Sequence, residues 1–143
     1  MTLHNNFINR LSDQVVAITL HFRKIMQDEM MIREMLVALY LNRANFVIGY
    51  HVCSIGSKTC TLVDNKVVLS TGLLCGATSI IIAHNHPSGQ CSPSTEDYHV
   101  TNKLVNGCAA VGMQLLDSMV IVESGFYSFA DEGSLTDPLP EFK

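Results

Sequence analysis

The strongest hydrophobic pattern in the chain is the run of three isoleucines at positions 80–82, which leads into two histidines. β-Branched residues that are apolar at successive positions are typical of a strand with both faces buried. The run ends at His84, Asn85 and His86, and Pro87 and Gly89 then turn the chain. The pattern predicts a central strand that carries two histidines to one end of a sheet.

Other apolar runs predict the neighbours of this strand. The runs at 35–41 and 46–55 are separated by the turn-like residues 42–45, which favours a β-hairpin. Later segments have weaker patterns: a short strand at 60–62 followed by a turn at residues 64 and 65, a strand over 115–122 that Asp117 and Ser118 interrupt, and a last strand over 126–129. Together these runs predict a sheet of several strands.

Two segments show helical periodicity. Over 7–29 the apolar residues fall on one helical face, although residues 16–22 also alternate as a strand would. The length of that pattern without a turn residue favours a helix. A second helix is predicted over 66–76, ended by Gly76, with three residues facing inward: Val67, Val68 and Leu74. With the strands, these helices predict a domain of mixed α and β structure.

A third predicted helix follows the histidines. It covers 93–106, with Ser92 as the cap, Pro93 in the first turn and Gly107 as the stop. This reading places Asp97 about one turn into the helix. The intervening loop can then bring the Asp97 carboxylate back to the histidines.

The histidine pair and Asp97 are candidate metal ligands. In an extended chain, positions i and i+2 point to the same side, so His84 and His86 can aim both imidazoles at one point. Two imidazoles and a carboxylate are typical of catalytic zinc, because three protein ligands leave the fourth position open for water. Iron(II) uses the same set, so the residues leave both metals open. A lone His-x-His pair is more often a surface feature, but the buried strand and the following acid favour a metal site.

Composition narrows the class of protein. The 143 residues carry a net charge of −4, and the nine lysines and arginines are scattered, so capture of DNA or of an anionic membrane by charge is not favoured. No apolar run reaches the roughly 20 residues that span a bilayer. The five cysteines include no Cys-x-x-Cys pair, and no secretory leader is evident, so we expect reduced thiols and a cytoplasmic location. Cys91, between His86 and Asp97, is interpreted as a loop residue.

The spacing of the candidate ligands resembles the JAMM (MPN-plus) metalloprotease motif: His-x-His, seven residues, Ser, two residues, Asp. It stands here as His84 and His86, then Ser94, then Asp97. The string HNHPSG that begins at His84 is similar to the RadC branch of that superfamily, and the resemblance covers about residues 33–129.

The resemblance implies a fold. The expected class is α/β: a three-layer, cytidine-deaminase-like JAB/MPN domain with a mixed central sheet flanked by helices. The expected organisation is an N-terminal helical segment over 1–30, the RadC-like JAB/MPN domain over 31–130, and a mobile C-terminal tail over 131–143.

The resemblance also implies a chemistry: zinc-dependent hydrolysis of a peptide or isopeptide bond in an unidentified peptide or protein substrate. The family carries a glutamate at the start of an early strand, which corresponds to Glu34 and is predicted to be the general base. Ser94 is predicted to donate a hydrogen bond to the developing oxyanion. Without the resemblance, Glu34 reads as a solvated acid and Ser94 as a helix-start hydroxyl. Asn85 and Ser88 are predicted to orient the ligands.

Two other functions stay open: a role associated with DNA repair without peptidase activity, and a non-catalytic MPN interaction module. RadC-like proteins usually carry an N-terminal helix-hairpin-helix region, for which the residues before Glu34 are too few, so direct binding of nucleic acid is disfavoured but stays open. The complete ligand set disfavours the non-catalytic module. Family members often have His after the aspartate of the late strand, where this chain has Ser118, so the substrates of relatives transfer weakly. The oligomeric state is left open.

Overall fold

The computed structural model describes residues 11–27, 30–55 and 65–143. These residues form three α-helices: α1 (Leu11–Met26), α2 (Asn65–Leu74) and α3 (Thr95–Ala110). They also form five strands: β1 (Met35–Leu41), β2 (Val47–Ile55), β3 (Ser79–Asn85), β4 (Gln114–Val122) and β5 (Gly125–Ser128), with a short 3-10 helix at Pro140–Phe142. The predicted short strand at 60–62 lies outside the described residues.

The strands form one mixed sheet in the order β2-β1-β3-β4-β5. β1 pairs antiparallel with β2 and with β3, β3 pairs parallel with β4, and β5 returns antiparallel to β4. The isoleucine strand β3 is therefore central, and α3 makes the crossover that a parallel pair requires. The predicted hairpin at the start of the sheet is confirmed.

Each face of the sheet is covered by helix. α1 contributes Ile18, Phe22 and Met26 to one core cluster, which includes Ile81 of β3. The opposite cluster packs α2 and α3 against Ile80 and other strand residues. Because successive strand residues point to opposite faces, the three isoleucines serve both cores. The predicted α/β class, with a mixed sheet between helical layers, is confirmed, as is the helix chosen for α1 over a strand.

The inward face of α2 differs from the prediction. Val68 is buried, but Val67 is exposed and Leu74 is 89% exposed. The helix instead approaches the sheet at Gly72, where a Cβ would lie 3.0 Å from Met113 Sδ. A small residue lets the helix pack closely, so the inward face follows Val68 and Gly72 rather than the larger apolar residues.

Two predicted interruptions are wrong. Gly107 does not end α3; it lies inside the helix, where a Cβ would lie 2.9 Å from Leu69 Cδ1, so its small size permits contact with α2. Asp117 and Ser118 do not break β4. A register shift opposite Ile80 and Ile81 accommodates them within the strand.

The C-terminal segment contacts α3. Thr136 Oγ1 donates to Asn102 Oδ1 at 3.1 Å, and the Leu139 N–H donates to Asn106 Oδ1 at 2.9 Å. Its mobility and the domain boundaries stay predictions. Among the helices of the described residues, none combines the length and apolar character needed to cross a bilayer.

Candidate metal centre

The end of β3 presents the two histidines side by side. His84 pairs with Leu36 of β1 and Val120 of β4. The His86 N–H donates to the Ile121 carbonyl at 3.1 Å, which keeps the chain extended one residue past the strand. The two Nε2 atoms are therefore on one side, 3.0 Å apart, as the spacing predicted.

The start of α3 presents Asp97. Ser94 is the N-cap: its Oγ accepts from the Asp97 N–H at 3.2 Å, and Asp97 Oδ2 accepts from the Ser94 N–H at 2.7 Å. This reciprocal capping box satisfies two N–H groups at the helix start. The prediction that Ser92 caps the helix is wrong, because only Ser94 has an acid three residues later. Ser94 therefore has the helix-start role, and the same bonds hold the Asp97 side chain in place.

The three candidate ligands converge. Asp97 Oδ1 lies 2.8 Å from His84 Nε2, and Asp97 Oδ2 lies 3.3 Å from His86 Nε2. One ligand atom from each residue lies within 4.8 Å of the others. Bonds of about 2.0–2.1 Å in a tetrahedron place zinc ligands about 3.3 Å apart, which is close to these separations. The predicted convergence of the three side chains is confirmed.

A turn after the histidines determines the tautomer of His86. Gly89, at φ +84°, closes a turn in which its N–H donates to the His86 carbonyl at 3.0 Å. The turn brings the Gln90 carbonyl to 2.8 Å from His86 Nδ1. A carbonyl only accepts, so Nδ1 carries the hydrogen and Nε2 of the neutral ring has a lone pair for a metal.

The electrostatics agree with an ionised carboxylate between two bases. Burial opposes ionisation of Asp97, but hydrogen bonds from His84 and His86 outweigh it and lower the pKa of Asp97 well below its usual range. The hydrogen bond to Asp97 raises the pKa of His86, against partial burial. Without a metal, protons on the imidazole nitrogens must form the hydrogen bonds to the Asp97 carboxylate. A divalent cation can replace these protons, so the three side chains fit zinc.

Glu34 lines a cavity together with the candidate ligands. A cavity of about 510 Å³ is lined by Glu34, His84, His86, Ser94 and Asp97 among others. Glu34 is partly buried, immediately before β1, and its charge makes a small further contribution to the raised pKa of His86. The structure thus brings all five predicted site residues to one cavity, and their roles stay predictions.

The comparisons with known proteins show the family of this chain. The model of the RadC-like JAB domain family matches residues 12–134. This chain belongs to the RadC-like JAB domain family. Among its relatives, a "UPF0758 protein" of Aquifex aeolicus is 40% identical over 103 residues, 72% of this chain and 45% of the relative. Another, of Methanosarcina mazei, is 36% identical over 124 residues, 87% of this chain and 53% of the relative. The chain spans about half the length of the curated relatives it matches.

Other predicted neighbours of this JAB-type site have different surroundings. Asn85 was predicted to orient the ligands, but its amide bonds to residues 30–35 instead. Ser88 is exposed and lines the cavity, where its Oγ accepts from the Gln90 N–H at 3.5 Å. Cys91, which was interpreted as a loop residue, does not line it.

Sequence reasoning missed a pair of buried, hydrogen-bonded hydroxyl groups that line the cavity. Thr101 Oγ1 donates to Ser118 Oγ at 2.8 Å, and both residues are buried. They line the cavity with Leu36, Ile82 and Val100. Asp97 and Thr101 are four residues apart on α3, so helical spacing could have placed Thr101 beneath the ligand. Ser118 was noticed only because relatives often have a histidine there.

Proposed function

We propose that this JAB domain is a zinc-dependent hydrolase that cleaves a peptide or isopeptide bond. The observation that carries the proposal is the convergence of His84, His86 and Asp97 on a cavity that Glu34 and Ser94 also line. Three protein ligands leave one position of a tetrahedral ion open. Family membership supports a JAB-type protein, and the names of the relatives state no activity, so the activity is inferred from the site.

Glu34 is the proposed general base. Bound zinc supplies Lewis-acid chemistry and brings the pKa of a water molecule toward neutrality. The Glu34 carboxylate accepts the proton of the attacking water and later delivers it to the leaving amine. Its support is its position at the same cavity, partly shielded from solvent.

Ser94 is the proposed donor to the scissile carbonyl oxygen. Its Oγ accepts from the Asp97 N–H, and a hydroxyl that accepts one hydrogen bond can still donate its own. Such a donor contributes about 3 kcal/mol to stabilisation of a developing oxyanion. The capping role and the proposed catalytic role are compatible because they use opposite ends of the O–H bond.

The substrate class is a peptide or protein, and the proposed location is the cytoplasm because the cysteine pattern is typical of reduced thiols. No observation in the described residues favours binding of nucleic acid, and a DNA-associated role is an outcome of the test rather than part of the proposal.

The test is metal content followed by hydrolysis of a pooled library of internally quenched peptides and lysine isopeptides. We expect one zinc per chain in the wild type and metal-dependent cleavage. Glu34→Gln should keep the zinc and lose the cleavage, because it removes the proton acceptor and no ligand.

The matched control is Glu96→Gln, since Glu96 is an exposed acid that lines the same cavity. It should keep both zinc and cleavage to within a few-fold. Full activity of Glu34→Gln would remove Glu34 from the mechanism. Absence of bound zinc would end the proposal, and zinc-independent binding of duplex DNA with a steep salt dependence would favour the DNA-associated role.

A further inference from the structure

Asn85 lies between the two candidate ligands and points away from them. Its side chain is fully buried, at 0% exposure. It is the last residue of β3, and in an extended chain its side chain leaves the face that His84 and His86 share. A buried amide must find hydrogen-bond partners, because leaving its polar groups unpaired costs free energy.

Three hydrogen bonds of equal length satisfy the amide. Asn85 Oδ1 accepts from the Met35 N–H at 2.7 Å, and Asn85 Nδ2 donates to the Met30 and Arg33 carbonyls, each at 2.7 Å. The partners determine the orientation of the amide, because an N–H requires an oxygen and two carbonyls require the NH₂ group. Both hydrogens of the NH₂ group are used.

All three partners belong to the backbone that carries Glu34. The bonds enclose Glu34 on both sides, at Arg33 and at Met35. Residues 30–34 form neither a helix nor a strand, so side-chain bonds contribute more to their conformation than they would in a regular element. The contacts cross about 50 positions of sequence and join the start of β1 to the end of β3.

We propose that Asn85 is a positioning residue that holds Glu34 over the candidate metal centre. The inference rests on the proposed function, because it assigns Asn85 an effect through Glu34. One strand end then sets both parts of the site: its two histidines face the cavity, and the residue between them anchors the backbone of the base. Misplacing a catalytic group by about 1 Å can cost roughly 100-fold in rate.

The test uses Asn85→Ser, which is too short to reach the three partners, and Asn85→Asp, which keeps the shape but replaces the donating NH₂ with oxygen. The matched control is Tyr40→Phe. It removes a buried hydrogen bond near the other end of β1, where the Tyr40 hydroxyl donates to the Val68 carbonyl at 2.8 Å.

The first readout is amide hydrogen exchange of the metal-free protein. We expect the Met35 amide to exchange at least about tenfold faster in Asn85→Ser, the factor that one hydrogen bond supplies. Asn85→Asp keeps an oxygen that can accept from the Met35 N–H, so it should accelerate this amide less than Asn85→Ser does. Tyr40→Phe should leave it unchanged. Unchanged exchange at Met35 in Asn85→Ser would overturn the inference, whatever the activity of the protein.

The second readout is a double-mutant cycle with Glu34→Gln on the zinc-loaded protein, using the quenched-substrate library. We expect Asn85→Ser to keep one zinc per chain and to lower kcat by about 100-fold, with little change in KM. In the Glu34→Gln background the same change should lower the residual rate less than twofold. Equal losses in both backgrounds would show a merely structural role and overturn the inference.

Failure of the proposed function is a different result. It appears as a zinc-loaded wild type without hydrolysis, or as full activity of Glu34→Gln, and either result removes the catalytic role of Asn85 together with that of Glu34. The exchange experiment reports on the Asn85 anchor separately in each case.

Discussion

Asp97 and Asp117 are two shielded carboxylates with opposite surroundings. Asp97 meets two imidazole nitrogens at the wall of the cavity. Asp117, 5% exposed, meets N–H and O–H donors that do not titrate near neutrality. Its Oδ1 accepts from the Ser118 and Ala130 N–H groups at 2.7 and 2.9 Å, and its Oδ2 accepts from the Ser128 hydroxyl at 2.5 Å.

The difference shows which of the two carboxylates can bind a metal ion. Burial raises the pKa of Asp117 despite its three donors, whereas the imidazoles lower the pKa of Asp97. Backbone and hydroxyl donors cannot be exchanged for a cation, but imidazole protons can. Asp117 therefore has a structural role, joining β4, β5 and the turn at Ala130, and Asp97 is available as a ligand.

The largest expected effect is on zinc binding. Asp97→Asn should weaken zinc affinity by more than about 100-fold. Loss of a residue that only hydrogen-bonds to a ligand already costs up to about 100-fold, and Asp97 is a proposed ligand itself. Asp117→Asn should leave the affinity unchanged to within a few-fold. Competition with a chromophoric chelator measures both. Equal losses in the two variants would abolish the distinction between the carboxylates.

The next effect is the pH dependence of zinc affinity. Because the pKa of His86 is raised above 6.5, a proton occupies the ring below that pH and must leave when metal binds. Zinc affinity should therefore fall by at least about tenfold for each unit of pH below 6.5. Calorimetric titrations in two buffers would also report the released proton, and affinity independent of pH would contradict the ligand set.

A smaller effect is expected on folding stability. Asp117→Asn places an NH₂ group among donors, so it should lower the free energy of unfolding by about 1–3 kcal/mol. Denaturant unfolding of the metal-free protein measures the loss. Stability equal to the wild type would show that the Asp117 bonds do not hold the turn at Ala130.

The smallest effect is a difference in the sign of two pH slopes. The folded pKa of Asp97 is depressed, so its contribution to stability is present above pH 3.8 and is lost as pH falls. The folded pKa of Asp117 is raised, so its contribution falls as pH rises through the range above 3.8.

Unfolding of the metal-free wild type and both Asn variants between pH 3 and 6 tests these signs. The free energy of unfolding of the wild type minus that of Asp97→Asn should grow as pH rises. The corresponding difference between the wild type and Asp117→Asn should shrink. Slopes of the same sign would contradict the assigned environments. The expected slope stays below about 1.4 kcal/mol per pH unit for each group.

The same contrast explains what the sequence could predict. The isoleucine strand and the i, i+2 histidines are local patterns, and both were confirmed. Asp97 could be predicted because it lies in the helix that directly follows the histidine strand. Glu34 came only from the resemblance, since nothing local links it to a strand end some 50 residues later.

The errors share a physical cause. Asp117 was interpreted as a break because a polar residue in a strand has no visible partner in sequence, whereas its partners lie at Ser128 and Ala130. Gly107 was interpreted as a helix end, although its small size serves the contact with Leu69. In both cases a long-range contact outweighed the local propensity of the residue.

The most direct measurement of the central claim is X-ray absorption at the zinc edge of the loaded protein, with Asp97→Asn as the reference. We expect a first shell of only nitrogen and oxygen, at about 2.0–2.2 Å, that includes two imidazoles. Asp97→Asn should lose the metal. A sulfur at about 2.3 Å, which would bring in a thiolate such as Cys91, or a spectrum unaltered in Asp97→Asn, would contradict the site described here.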